Sequence, residues 1–461
     1  MMDRPARPAQ AKAEATRSAL LTAPVLPTLF RLALPTMTVL LAQTAVNVAE
    51  AYYVGLLGTD ALAGAAMVFP IFMLMTMMSN GGIGSGVSSS VARAIGAQRK
   101  ADADAIVFHG IVLAVIGGAL FTFGTALLGP VLYHALGGRE GALDAALTYS
   151  ISLFAGAIPV WIVNLQAAAL RGAGNVRVPA IVTLIGAVVM IPLSPLLIFG
   201  LGPVPGLGIG GAGLAFGLYY CGAMLVLSRY MASGRTSLHM RIVRLQGRLF
   251  ADILKVGLPT AVNAVLVNLT VILVTSVVGR FGTSELAAYG IASRLDYIMV
   301  PILFGLCTAT LTMVGVNVGA GLAARARSIA LVSALTGAAF VGSIGCIIAA
   351  YPSLWLSLFS REPDVLREGA VYLRFVAPAY TALGFGFVLA FAAQGAGHVL
   401  WPFVASVVRI LLAAGGGMLV VSYFGGGMAS LAAMVMASLI AYALVCSFVM
   451  LTPAVWRAKK R

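Results

Sequence analysis

The chain has 461 residues, 61% of them hydrophobic and only 9% charged, with a formal net charge of +15 and a mean hydropathy of +1.01. A soluble domain carries roughly 25% charged residues mixed through its helices, so this composition excludes a soluble enzyme or binding module. Apolar stretches of about 20 residues or more follow one another from Leu29 to Leu451, each long enough to cross a hydrocarbon core of about 30 Å at about 1.5 Å per residue.

The stretches are continuous rather than alternating, so they read as helices and not barrel strands. In chain order the spans fall at 28–56, 61–83, 105–129, 143–166, 176–201, 209–230, 252–280, 285–318, 326–350, 366–392, 399–424 and 427–452. The fold class expected is therefore an all-α integral membrane protein of twelve transmembrane helices. A tail at 1–27 precedes a first six-helix lobe at 28–230. A linker at 231–251 leads to a second lobe at 252–452, and a basic tail closes the chain at 453–461. The first 24 residues are rich in Ala, Pro and Arg without a separate apolar core, so no cleavable leader is expected. Cys221, Cys307, Cys346 and Cys446 fall singly within spans, without metal-ligand spacing, and read as reduced packing residues.

The positive charge is a topology signal rather than a nucleic-acid footprint. It gathers in the N-terminal tail (Arg4, Arg7, Lys12, Arg17, Arg31) and the second loop (Arg93, Arg99, Lys100). Arg171 and Arg177 follow, then the central stretch with Arg229, Arg235, Arg241, Arg244, Arg248 and Lys255, then Arg325 and Arg327. The C-terminal Arg457, Lys459, Lys460 and Arg461 complete the set. The intervening loops hold little beyond Arg139, Arg280, Arg361 and Arg367. This alternation places both termini in the cytoplasm of a bacterial cell, in its inner membrane.

The two halves repeat one another. Leu34-Pro35 matches Leu258-Pro259, and the turn from Leu57 to Ala63 matches that from Phe281 to Ala287, both 224 positions on. Arg171-Gly172-Ala173-Gly174 matches Gln394-Gly395-Ala396-Gly397, and Ile95-Gly96-Ala97 matches Val318-Gly319-Ala320, at an offset of 223. Six spans per half is even, so the halves enter from the same side and are related by an axis along the membrane normal. A cleft between such repeats is a recurring transporter device. Other strings carry no chemistry: Gly208-Ile209-Gly210-Gly211-Ala212-Gly213 has the form of a nucleotide fingerprint without a preceding strand. The histidines are scattered, and no cofactor or metal is implied.

These landmarks resemble the multidrug and toxic compound extrusion family, and within it the DinF-like bacterial branch. They are Leu34-Pro35 with Glu50, Val54-Gly55 and Leu57-Gly58-Thr59; Leu170-Arg171-Gly172-Ala173-Gly174; and Ala287 to Ala292 leading to Val318-Gly319-Ala320-Gly321. The resemblance covers nearly the whole chain. It implies two six-helix lobes in a V, a monomer, and antiport of organic cations or drugs against protons or sodium. It also implies a coupling acid on the first helix fifteen positions after a helix-bending proline, where this chain has Glu50 after Pro35. Tyr149 and Asn164 stand where the family's polar partners stand on the fourth helix. On the fifth helix Met190 and Ser194, before Pro195, replace the family's Asn and Asp.

Glu50 is the one acid deep in the first six spans, and no Lys or Arg of that half lies at its depth. An ionised carboxylate there costs at least a few kcal/mol unless paired or hydrated, and intramembrane acids are functional by default. A carboxyl shielded from water and cations takes up a proton more readily. Glu50, Tyr149, Asn164 and Ser194 are the candidate coupling residues. The loss of two oxygen donors at positions 190 and 194 favours protons over sodium. Pro35 is a candidate hinge, since proline removes a helix hydrogen bond. Tyr53, Phe69 and Met190 are the candidates for substrate contact. In the second half Arg294, Asp296, Arg374 and Arg409 form a charge network, in which Arg374 or Arg409 is expected to pair with Asp296 because Arg294 faces another way. The leading function is proton-driven efflux of lipophilic cations. The alternatives are sodium-coupled efflux and a flippase for a lipid-linked precursor. No enzyme constellation and no ATP-binding domain is present.

Overall fold

The computed structural model describes residues 8–201, 205–234 and 236–457. Arg4, Arg7, Arg235, Lys459, Lys460 and Arg461 lie outside them, and of residues 8–13, 297 and 298 only the backbone is described. Among the described residues the chain is helical throughout, without a β-strand. Ten helices are long and apolar enough to cross a membrane, and two bent pairs bring the number of spans to twelve. A helix at Pro8–Thr22 precedes them. In lipid this is the economical solution, because each backbone amide finds its partner within its own segment.

The first span is Val25–Gly55, with Pro35 inside it, and the second runs Thr59–Gly96. The second is longer than its apolar stretch because a π-helical segment, Met77–Ile83, carries it without a break into Gly84–Gly96. The third is Lys100–Ala135. The fourth is a pair, Glu140–Ala155 and Ala157–Gly172, bent by 47°. The fifth and sixth are Arg177–Phe199 and Ile209–Ala232. Gly247–Val278 is the seventh, and the eighth is Thr283–Ser293 continued by Asp296–Gly319. Ala323–Ala350 is the ninth, Pro363–Val376 and Tyr380–Gly395 form the tenth with a 50° bend, and the last two are Leu400–Phe424 and Met428–Leu451.

The repeat inferred from sequence is written into the backbone. The fourth and tenth spans are the two that bend, and the residues at the bends, Gly156 and Ala379, stand 223 apart. Both spans then end in the same way. Gly174 and Gly397 take left-handed φ values of 78° and 82°, and the following amides, Asn175 and His398, each donate to a carbonyl five residues back at 2.9 Å. This is the Schellman closure, which glycine enters at no steric cost. The second and eighth spans close likewise, through Gln98 in one half and Gly321 in the other.

The chain divides into two compact units, one of residues 1–19 and 34–261, the other of residues 20–33 and 262–461. The divisions fall inside the first and seventh spans, beside Pro35 and Pro259. The core of the first unit is built on Met75, Leu153, Phe154, Trp161, Leu165 and Tyr133, whose hydroxyl shares a 2.7 Å hydrogen bond with Ser150. The second unit packs Phe304 against Phe391 at 5.7 Å, with Leu431 and Tyr442 buried. Large apolar side chains also lie bare on the outer faces, among them Leu120, Phe123, Leu127 and Val131 of the third span. That pattern belongs to helices solvated by lipid.

The string Gly81-Gly82-Ile83-Gly84-Ser85-Gly86 works by closeness, not by ligand binding. A Cβ on Gly82 would stand 2.7 Å from the Ala261 side chain, and one on Gly86 would land on the Ile253 carbonyl oxygen and 2.9 Å from the Gly257 nitrogen. Small residues allow such contact between spans. Overpacking of this kind costs about 1–3 kcal/mol. Gly86→Ala is therefore expected to lower the melting temperature of the detergent-purified protein, whereas Gly124→Ala, where nothing lies within 4 Å of the added carbon, leaves it unchanged.

Candidate functional site

The first unit gathers its candidate residues around Glu50. That residue lies on the last turns of the first span and is 6% exposed. From the fifth span the Ser194 hydroxyl, fully buried, donates to Glu50 Oε1 at 3.0 Å. Ser194 sits between Pro192 and Pro195, within one helix. Neither proline has an N–H to give to the helix ladder, so the backbone there is under-bonded and bends readily. Met190, also buried, stands one turn before Ser194 on the same face. Tyr149, buried on the first segment of the fourth span, lies within electrostatic range of the Glu50 carboxyl. No ion pair among the described residues involves Glu50. A carboxylate that accepts from one hydroxyl, with a phenol within electrostatic range, is the result.

Asn164 does not join this group. Its amide donates to Ser79 Oγ at 2.8 Å. The reason is length: fifteen residues separate Tyr149 from Asn164, about 22 Å of helix, with the Gly156 bend between them. Ser79 belongs to the π-helical segment, and its neighbour Asn80 accepts from Arg171 Nη2 at 2.7 Å. This second polar cluster was missed from sequence, although Ser79-Asn80 interrupts an otherwise apolar run.

Of the substrate candidates, Phe69 is 47% exposed, and Tyr53 is half-buried against the core with its ring 6.0 Å from that of Tyr52. Their neighbours Phe72 and Met75 are buried core residues, Phe72 stacking edge-on to Phe216 at 5.6 Å. Pro35 lies inside a continuous helix, half-buried.

The charge network of the second half is only partly assembled. Arg374 is exposed and Arg294 lies over the Phe359 ring at 5.3 Å, so neither partners Asp296. Arg409 and Asp296 do line one small cavity of ≈ 40 Å³ with Tyr289, Tyr372, Tyr380 and Ser438. They do not form an ion pair: Arg409 sits 6.0 Å from the Tyr442 ring and the Tyr380 hydroxyl reaches Asp296. The expected ion pair of Asp296 with Arg374 or Arg409 is thus not formed among the described residues: Arg374 is exposed, and Arg409 shares the cavity with Asp296 without a salt bridge. Among the described residues no group of His, Cys, Asp and Glu could hold a metal ion.

Known proteins resemble this chain in sequence and fold. The chain is 26% identical over 403 residues to a FAD transporter of Shewanella oneidensis, covering 86% of this chain and 88% of that one. It is 28% identical to a probable multidrug resistance protein of Bacillus subtilis, over 77% of both chains. It is 30% identical to a probable multidrug resistance protein of Rhizobium meliloti, over 78% of both. Among solved structures, a MOP superfamily transporter from Pyrococcus furiosus superposes with a TM-score of 0.85 at 24% identity, covering 94% of this chain and 96% of that one. A MATE structure in a bent conformation gives 0.87 at 22%, covering 95% and 96%. The profile of the MatE family matches residues 35–196 and 259–419, one block in each half and together well over half of the sequence, so this twelve-span membrane protein belongs to the MatE family of transporters.

Proposed function

We propose that this chain is a secondary active antiporter, exporting lipophilic and often cationic organic compounds in exchange for protons. The observation that carries the coupling half of this reading is the Glu50 carboxyl, buried in the first unit with the Ser194 hydroxyl on one oxygen and no ion-pair partner among the described residues. Ionised, such a group attracts an organic cation or holds one state of the cycle. Protonated, it is neutral and releases what it held. Sodium would ask for several oxygen ligands around the metal, and Met190 supplies a thioether where an oxygen would be needed. The relatives described as multidrug resistance proteins support the substrate half. The reading places both termini in the cytoplasm, in a bacterial inner membrane, and the working unit is a monomer.

A second substrate reading has its own support. The Shewanella oneidensis relative, matched over most of both chains, is a FAD transporter. A flavin dinucleotide therefore belongs in the substrate screen beside organic cations.

The test is transport into everted vesicles under imposed proton or sodium gradients. Glu50→Gln is expected to lower proton-driven export at least tenfold at equal expression. Export by this variant at the wild-type rate overturns the mechanism, and export driven by sodium alone overturns the choice of ion. A hydrogen bond to a charged group contributes about 1.5–3 kcal/mol, so Ser194→Ala is expected to weaken coupled export about tenfold or more while leaving expression intact. Pro35→Ala tests the hinge: reduced turnover with unchanged expression supports bending of the first span, and unchanged efflux removes it.

A further inference from the structure

The stretch between the sixth and seventh spans is a strap pinned at both ends to the third span. At one end Leu238 is fully buried, the His239 amide donates to Asp104 Oδ1 at 2.8 Å, and its ring stands 3.7 Å from the other carboxylate oxygen. At the other end the Gln246 amide donates to His109 Nε2 at 2.8 Å while His109 Nδ1 bonds the Ala105 carbonyl at 2.8 Å. Arg248 then grips Asp102 with bonds of 2.6 and 3.2 Å, and Phe250 packs on the His109 ring at 4.7 Å. All these residues belong to the first unit.

Between the two pins Met240 and Val243 pack against the core, while their neighbours face outward. Arg241 and Arg244 are exposed, Ile242 is 90% exposed and Leu245 53%. Among the described residues neither arginine forms an ion pair, although Arg241 lies within electrostatic range of Asp104, and residues 236–250 contain no acid. Holding two large aliphatic side chains in water on a tethered, non-helical strand is unfavourable, and no described residue of the unit covers them.

The level of the strap says what does. The third span has 36 residues, about 54 Å of helix against a hydrocarbon core of about 30 Å. Its first eight residues or so therefore overhang the core, through the headgroup layer. The anchors Asp102 and Asp104 occupy that overhang, and His109, the tenth residue of the helix, lies just past its inner edge. We infer that residues 241–245 form an interfacial anchor for anionic phospholipid, with Arg241 and Arg244 binding lipid phosphate and Ile242 and Leu245 seated at the acyl boundary, in the leaflet on the side of the basic loops. Guanidinium groups match phosphate oxygens in a planar fork, and basic residues beside a span are drawn to anionic leaflets.

The experiment is hydrogen exchange of the peptide covering 236–250 in the full-length protein, placed in nanodiscs of phosphatidylcholine alone or with phosphatidylglycerol. Wild type is expected to exchange at 241–245 about tenfold more slowly in the anionic discs. The double variant Arg241→Gln, Arg244→Gln loses that difference, and Ile242→Ser, Leu245→Ser lowers protection in both discs. Equal exchange of wild type in the two discs overturns the inference. So does undiminished protection in the double arginine variant, or equal protection in detergent with glycerol phosphate, which would make it a site for the free anion rather than for a lipid surface. All four substituted positions are exposed, so melting temperatures in detergent are expected to match wild type and serve as the folding control.

Discussion

A charge inside a bilayer has to be answered by something nearby, because neither water nor mobile ions reach it. In the first unit that requirement falls on Glu50, and the answer is one hydroxyl. The Ser194 bond at 3.0 Å crosses from the first span to the fifth, so it ties the proposed coupling acid to a helix that contains two prolines. A stronger answer, such as an arginine, would hold the carboxylate ionised and leave it unable to carry protons as proposed. The second unit treats its own acid differently. Asp296 faces tyrosines and a cavity, with Arg409 on the same wall but out of ion-pair contact.

The framework around these groups is governed by the same solvent. Every amide must be satisfied within the segment, so departures from regular helix are few: among them are the bends at Gly156 and near Pro378, the break between Ser293 and Asp296, and the π-helical segments at Met77–Ile83 and Leu411–Gly416. Interior contacts rest on glycine and alanine as much as on large side chains, since lipid offers no hydrophobic penalty that would drive bulky residues inward.

Much of this was legible in the sequence. Span count follows from hydropathy because the bilayer imposes a single length on every crossing. The repeat follows from turn chemistry, since Gly174 and Gly397 close their helices by one rule and identical backbone needs leave identical letters. Glu50 stood out because an acid in lipid is rare. What the sequence left open depends on rotation about helix axes. Asn164 and Tyr149 share a span, yet a bend and about 22 Å of rise send them to different clusters. Arg374 and Arg409 are equally basic, yet only one faces inward. Phe69 differs from Phe72 only by lying on the outer side of its helix. The interior of the second span was hidden for another reason, because a π turn changes neither composition nor hydropathy.

That π turn has a consequence for the length of the second span. A wide turn of this kind holds one residue more than an α-helix needs to join the same two ends. Phe72 and Met75 before it, and Gly86 and Val87 after it, are each fixed by tight packing on their own side. The segment therefore acts as slack in a taut line: a shorter chain reaches between the same two anchored stretches as regular helix, without turning either out of place. What the spare residue provides is the wide turn itself, where Ser79 and Asn80 meet the fourth span.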